Sequence, residues 1–190
     1  MKALHQQILS CNICMESLPH APNPIVQFSS KSKIAIIGQA PGRVVHETMV
    51  PWNDNSGKRL RKWLGVSREQ FYNTNNFAIV PMGFCYPGKG KGGDLPPRKE
   101  CAPQWHHLIF NELQNIKIKI LIGSYAQKYY LKDRFKGTLT ETVRSFEEYL
   151  PQYIVLPHPS PRNVHWFQKN AWMKDSILPL VKSQVQNVLH

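Results

Sequence analysis

Short apolar runs recur along the chain, and glycine, proline or polar residues follow each of them. These runs predict four buried strands, at residues 33–38, 77–80, 118–122 and 153–156. The runs are largely apolar throughout, which is typical of strands that are covered on both faces of a sheet.

Between the runs, hydrophobic residues recur at helical spacing. Leu60, Trp63 and Leu64 are spaced in this way, and Ser56 is a candidate N-cap just before them. The predicted helices cover residues 56–64, 103–116, 124–131 and about 166–188.

Strands that alternate with helices predict an α/β fold. We expect a three-layer sandwich in which helices flank a central, mostly parallel four-stranded sheet, with one domain spanning residues 1–190. Ligands of such folds bind at the carboxyl ends of the strands. The loops of interest therefore follow Gly38, Val80, Ile122 and Leu156.

Charge narrows the class of partner. The 190 residues include 24 Lys and Arg but only 12 Asp and Glu, which gives a net charge of +12. This excess favours a polyanion, because Lys and Arg at phosphates release condensed counterions. A basic surface that only maintains solubility is the alternative.

No apolar run is long enough to span a membrane, and Met1–Ser10 lacks the apolar stretch of a signal peptide. The sequence therefore predicts a cytoplasmic protein, and we expect it to be a monomer. In a reducing compartment, thiols more often bind metal or stay free than form disulfides.

Four cysteines form two pairs. Cys11 and Cys14 form a C-x-x-C motif, whereas Cys85 and Cys101 flank a loop rich in glycine, lysine and proline at 86–97. Four thiolates suit zinc or an iron–sulfur cluster, and their spacing alone does not choose between the two. Four unrelated thiols are the remaining interpretation.

Three polar motifs stand beside predicted elements. Gly38–Gly42 (GQAPG) follows the first strand, and its glycines and proline predict a tight loop whose N–H groups can face a ligand. Trp52-Asn53-Asp54 precedes the helix at 56–64, and His158–Asn163 (HPSPRN) follows the fourth strand. Taken alone, these residues also fit a core tryptophan, an N-cap and a rigid surface turn.

In order and spacing, the cysteines and motifs resemble the iron–sulfur uracil-DNA glycosylases, families 4 and 5 of the uracil-DNA glycosylase superfamily. GQAPG is similar to GEAPG of family 4, and Asp54–Gly57 (DNSG) resembles the D-x-S-G of family 5. HPSPRN is the form seen in single-strand-selective monofunctional uracil glycosylases. The resemblance runs in motif order from Cys11 to Asn163.

The resemblance implies a monofunctional DNA-repair enzyme that flips uracil, or another deaminated or damaged base, out of DNA and hydrolyses its bond to the sugar. Asp54 would be the catalytic carboxylate that stabilises the sugar cation and aligns a water. His158 would donate a hydrogen bond to the base, where negative charge develops.

The resemblance also implies binding roles. Base-binding roles fall to Gly38, Gln39, Ala40, Trp52, which would stack on the base, and Asn53. DNA-binding roles fall to Ser160, Pro161, Arg162 and Asn163, with the Lys89–Lys91 loop at the phosphates. A structural [4Fe–4S] cluster, with zinc as the alternative, would be held by Cys11, Cys14, Cys85 and Cys101.

The sequence also departs from these families. Gln39 replaces the acid of GEAPG, and Pro81 stands where families 4 and 5 place a base-reading asparagine. Gln39 or Asn53 would then have to supply the amide, so strict uracil specificity is not expected. Glu47 competes weakly with Asp54 as the catalytic carboxylate. A non-catalytic nucleic-acid binder on the same scaffold and an unrelated zinc-bound module remain as alternatives.

Overall fold

The computed structural model describes residues 1–190 and shows a three-layer α/β sandwich, which confirms the predicted fold class. Its strands are β1 (Ile34–Ile37), β2 (Phe77–Ile79), β3 (Lys89–Gly90), β4 (Gly93–Asp94), β5 (Ile118–Ile122) and β6 (Tyr153–Leu156). The central sheet has the order β2-β1-β5-β6 and is parallel throughout. Strands β3 and β4 form a separate antiparallel hairpin inside the predicted loop at 86–97.

Nine α-helices surround the sheet. They are α1 (Lys2–Leu9), α2 (Arg43–Thr48), α3 (Asn55–Leu64), α4 (Arg68–Tyr72), α5 (Cys101–Glu112), α6 (Ser124–Leu131), α7 (Leu139–Arg144), α8 (Val164–Lys169) and α9 (Leu178–Leu189). None of them combines the length and the apolar character needed to span a membrane.

Two hydrophobic clusters cover the two faces of the sheet. Ile34 and Ile36 of β1 belong to the larger cluster, whereas Ala35 between them belongs to the smaller one, as side chains alternate along a strand. Helices α3 and α9 cover the larger cluster, and α1 and α5 cover the smaller one. Strand residues are therefore buried on both faces, as their uniform apolar character predicts.

The prediction of one continuous C-terminal helix over about 166–188 is wrong. Helix α8 ends at Lys169, and a wider turn at Met173–Ile177 leads into α9. The side chain of Asn170 donates to the carbonyl oxygen of Trp166 and accepts from the indole N–H of Trp172. An asparagine that bonds locally in this way competes with the helical backbone and ends the helix.

Topology fixes where a ligand can bind. Strand β1 lies between β2 and β5, so the chain leaves β1 towards one edge of the sheet and later builds the other edge. The loops after β1 and β5 diverge at this point, which creates a crevice beyond the carboxyl ends of the strands.

Candidate active site

A cleft of about 720 Å³ opens at this crevice. Its walls come from the loops after β1, β2 and β6, from the start of α3, and from the β3–β4 hairpin. The cleft brings together most of the residues that the sequence predicts as functional, namely Gly38, Gln39, Ala40, Trp52, Asp54, His158, Ser160, Pro161, Arg162 and Asn163.

The GQAPG loop forms the floor beyond β1. The carbonyl oxygens of Gly38 and Gln39 accept hydrogen bonds from the backbone N–H groups of Met82 and Gly83, at 2.9 Å each. These bonds tie the loop after β1 to the loop after β2. The side-chain amide of Gln39 donates a long bond of 3.4 Å to the carbonyl oxygen of Leu95, which joins the floor to the hairpin.

Trp52 stands between the floor and the HPSPRN loop. Its indole stacks on the ring of His158, with 5.6 Å between centroids and 29° between planes. The half-buried indole also packs against the larger hydrophobic cluster, so Trp52 is a core contact as well as a wall of the cleft. Its φ of 56° is the left-handed conformation, which residues other than glycine rarely adopt and which carries strain.

Two glycines make room for Trp52. A Cβ at residue 38 would lie 2.8 Å from Cζ2 of the indole, and a Cβ at residue 57 would overlap the carbonyl oxygen of Trp52. Glycine is therefore required in both motifs, GQAPG and DNSG, because the backbone or the indole of Trp52 occupies the space of a side chain.

Gly57→Ala is expected to lower the free energy of unfolding by about 1–3 kcal/mol, because the new methyl group has to displace backbone. The corresponding fall in Tm is about 2–12 °C for a chain of this size. Gly92→Ala is the matched control, since a Cβ at residue 92 meets nothing within 4 Å. Equal thermal denaturation curves for the two variants would contradict the close approach at Gly57.

Asp54 lies at the N-terminus of α3 and lines the cleft. One carboxylate oxygen accepts a hydrogen bond of 2.8 Å from the backbone N–H of Gly57. Asp54 is therefore the N-cap of α3, and Ser56, the other candidate from the sequence, is not. The cap and the helix dipole stabilise the negative charge of Asp54 at the wall of the cleft.

His158 follows β6 and is partly buried. Burial lowers the pKa of its imidazole below the ordinary value, and the carboxylates of Asp54 and Asp94 oppose this shift. A lowered pKa favours the uncharged ring near neutral pH, in which one nitrogen donates a hydrogen bond. His158 thus lies within electrostatic range of two carboxylates in the same cleft.

The HPSPRN loop is held by its own hydrogen bonds. The side-chain amide of Asn163 donates to the carbonyl oxygen of His158 at 2.9 Å, and the hydroxyl of Ser160 accepts from the backbone N–H of Arg162. Arg59 of α3 donates to the carbonyl oxygen of Ser160 at 3.2 Å. These bonds and the two prolines fix the loop, while Pro161 and Arg162 remain exposed at its tip.

A family model described as the uracil DNA glycosylase superfamily matches residues 25–182. The chain belongs to this superfamily. The match contains the whole cleft and the second cysteine pair, whereas Cys11 and Cys14 precede it. Membership of the uracil DNA glycosylase superfamily indicates a DNA glycosylase of base-excision repair, whose partner is DNA.

Two residues proposed from the sequence lie outside the cleft of this superfamily member. The side-chain oxygen of Asn53 accepts from the guanidinium of Arg68, and Asn53 does not line the cleft. Glu47 is exposed, forms an ion pair with Arg43 one helical turn away, and does not line the cleft either. Neither side chain is available to the cleft in this arrangement.

Asp94 lines the cleft but was not predicted as a functional residue from the sequence. It is the last residue of the β3–β4 hairpin. The only sequence signal for Asp94 is its place in a Gly-Gly-Asp segment between Cys85 and Cys101. Pro81, which stands where the resemblance would place an asparagine, also lines the cleft. Its carbonyl oxygen forms a hydrogen bond of 3.0 Å with the ring of His106, which is buried behind the cleft.

The four cysteines meet in a second place. All of them line one small cavity of about 20 Å³, beside the loop after β2. Burial raises the pKa of Cys85 to about 11 and of Cys101 to about 12, and the backbone N–H of Phe84 donates to the sulfur of Cys101 at 3.4 Å. No three His, Cys, Asp or Glu side chains are arranged as ligands of a single metal ion.

Proposed function

We propose that the protein is a monofunctional DNA glycosylase. It flips uracil, or another deaminated or damaged base, into the cleft and hydrolyses the bond between that base and its sugar. The observation that carries the proposal is the meeting of Asp54, Trp52 and His158 in one cleft beyond the carboxyl ends of the sheet. Superfamily membership supports the reaction class.

Base flipping exposes the bond to the cleft. A base inside a duplex is inaccessible, so the enzyme extrudes it at a cost of a few kcal/mol. Arg43, Lys89 and Arg162 line the cleft and offer positive charge to the flanking phosphates. Trp52 supplies an aromatic surface on which the extruded base stacks, an interaction of about 1–3 kcal/mol.

Bond cleavage separates charge in a direction that the cleft matches. As the C1′–N bond breaks, the bonding electron pair leaves with the base and positive charge builds on the sugar. Asp54 stabilises this cation and orients a water, whose oxygen bonds to C1′ while its proton passes to the departing base. His158 donates a hydrogen bond to the base oxygen on which negative charge develops.

The cleft favours a water nucleophile over a lysine. Lys89 is the one lysine that lines it, and it lies exposed on the β3 strand of the hairpin. A bifunctional enzyme needs an amine at the reacting sugar carbon to form a Schiff base. We therefore assign a monofunctional reaction, which leaves an abasic site and an intact strand.

A cleavage panel tests the proposal. Single- and double-stranded oligonucleotides with one uracil, hypoxanthine, xanthine or ethenoadenine are incubated with the enzyme and then treated with alkali. Strand breaks that require alkali are expected for at least one base, and the double variant Asp54→Asn/His158→Ala should produce none. Binding to DNA with no base release from any substrate would instead establish the non-catalytic binder.

We further propose that Cys11, Cys14, Cys85 and Cys101 hold a [4Fe–4S] cluster. The convergence of all four thiols on one cavity supports a shared group, and the resemblance of their spacing to the iron–sulfur glycosylases favours a cluster over zinc. The hydrogen bond from Phe84 to Cys101 is of the kind that stabilises a thiolate ligand. The cluster would join the N-terminal segment to the loop that carries the β3–β4 hairpin, with a structural role.

Protein purified without oxygen is expected to be brown and to contain about four iron atoms and about four sulfides per chain. Cys101→Ser should lower both contents and the visible absorbance, because one of the four ligands is lost. Metal analysis that finds zinc without sulfide would retain the ligands and overturn the cluster. If the protein contains neither iron nor zinc at stoichiometric content, the proposal of a shared metal site is overturned.

A further inference from the structure

Two acidic residues line the cleft, and Asp94 is the one that the proposed mechanism does not use. Its carboxylate accepts a hydrogen bond of 3.3 Å from the hydroxyl of Tyr86, which is buried. The second carboxylate oxygen lies over the GQAPG loop, where a Cβ at residue 42 would be 3.2 Å away. Asp94 remains accessible to solvent and thus to a base that enters the cleft.

The hairpin backbone fixes this position. Asp94 is the backbone partner of Lys89 in the antiparallel register of the hairpin. Gly93 before it has a φ of 150°, a backbone conformation that residues with a side chain rarely adopt. A Cβ at residue 93 would lie 3.1 Å from the guanidinium of Arg162, so the hairpin touches the HPSPRN loop. The hairpin that carries Asp94 therefore contacts both the GQAPG loop and the HPSPRN loop.

A carboxylate at this place opposes DNA binding. Asp94 forms no ion pair with a Lys or Arg side chain, although the chain carries a net charge of +12. An unpaired negative charge beside a polyanion reduces affinity. Its presence is explained if the charge has a task in the cleft that offsets this cost.

Resting on the proposed function, we infer that Asp94 reads the flipped base by accepting a hydrogen bond from the ring N–H of a deaminated base. A carboxylate only accepts hydrogen bonds. Deamination converts N3 of cytosine and N1 of adenine, which are acceptors, into the N3–H of uracil and the N1–H of hypoxanthine. A carboxylate that faces this ring nitrogen attracts the deaminated base and repels the parent.

The charge of Asp94 also bears on His158. Asp94 lines the same cleft as His158, and the hairpin that carries Asp94 touches the HPSPRN loop. Its carboxylate also opposes the lowering of the pKa of His158. A ring N–H in uracil and in hypoxanthine is adjacent to a carbonyl carbon. One donor from His158 and one acceptor from Asp94 therefore match neighbouring groups on the edge of the base.

Binding to a base without its ring N–H tests the inference. Duplexes carry 2′-fluoro-2′-deoxyuridine or its N3-methyl derivative, and likewise 2′-fluoro-2′-deoxyinosine or its N1-methyl derivative. The fluorine destabilises the sugar cation, so binding is measured without cleavage. Wild type, Asp94→Ala and Asp175→Ala are compared by fluorescence anisotropy, Asp175 being an exposed acid outside the cleft.

N-methylation should weaken binding by wild type and by Asp175→Ala about 10- to 100-fold, the range for a hydrogen bond to a charged group. In Asp94→Ala the same methylation should cost less than about threefold. An equal methylation penalty in wild type and Asp94→Ala would overturn the role of Asp94 alone. If the cleavage panel shows no base release from any of its four bases, the proposed function fails as well, which separates the two outcomes.

Discussion

His158→Ala is expected to lower single-turnover base release by about 10²–10³, while affinity for the same DNA stays within a few-fold. The imidazole lies in the cleft beside Trp52, and its lowered pKa favours the uncharged ring that donates one hydrogen bond. That donor is needed only when charge develops on the base, so its loss acts on the rate and not on binding. Rapid-quench kinetics with enzyme in excess measures the effect.

A control separates the imidazole from its packing. His158→Asn retains an N–H donor and should recover part of the lost rate, whereas His107→Ala, at an exposed position on α5, should react like wild type. A fall in DNA affinity that matches the fall in rate would show that His158 only supports the position of Trp52.

Asp54→Asn is expected to reduce single-turnover cleavage by a similar factor, because the carboxamide cannot stabilise a sugar cation. The helix should be unaffected, since asparagine caps helices as well as aspartate does and its oxygen can accept from Gly57. Cleavage kinetics and thermal denaturation are therefore measured on the same variant, and only the first should change.

Asp54→Ala provides the matched comparison. It should lose the rate and also about 1 kcal/mol of stability, the usual value of an N-cap. If Asp54→Asn cleaves at the wild-type rate, Asp54 is only a cap, and the search for a catalytic carboxylate moves to Asp94. Glu47, the competitor suggested by the sequence, lies outside the cleft and is no longer a candidate.

The core of the fold was predictable because burial dominates it. Each of the four apolar runs became a parallel strand, and α3 and α6 follow the helical spacing of their sequences. Boundaries were less predictable where local hydrogen bonds compete with the backbone, as at Asn170 and at the cap of α3. Helix α5 begins at Cys101 and ends at Glu112, not over 103–116, although Leu113 beyond it is still buried.

The site was predictable where residues lie within two positions of the end of a strand, as Gly38 and His158 do. Asp94 and Asn53 show why this reasoning reaches no further. Asp94 enters the cleft only because a hairpin of two-residue strands turns back over the GQAPG loop, and no apolar pattern marks so short an element. Asn53 is adjacent to two cleft residues, yet its side chain points to Arg68. Side chains of adjacent residues in a loop can thus point in different directions, which the sequence does not reveal.

The packing of Trp52 restricts which residues can occupy positions 38 and 57, in the GQAPG and DNSG motifs. Its indole excludes a side chain at residue 38, and its main chain excludes one at residue 57. The first exclusion belongs to the tryptophan alone, so Gly38→Ala should become tolerable in a background with a small residue at 52. The second belongs to the peptide backbone and should persist in every background. Substitutions in this pocket therefore have to occur in a fixed order, because Trp52 has to be replaced before Gly38 can be. Gly57 cannot be replaced without strain, whichever residue occupies position 52.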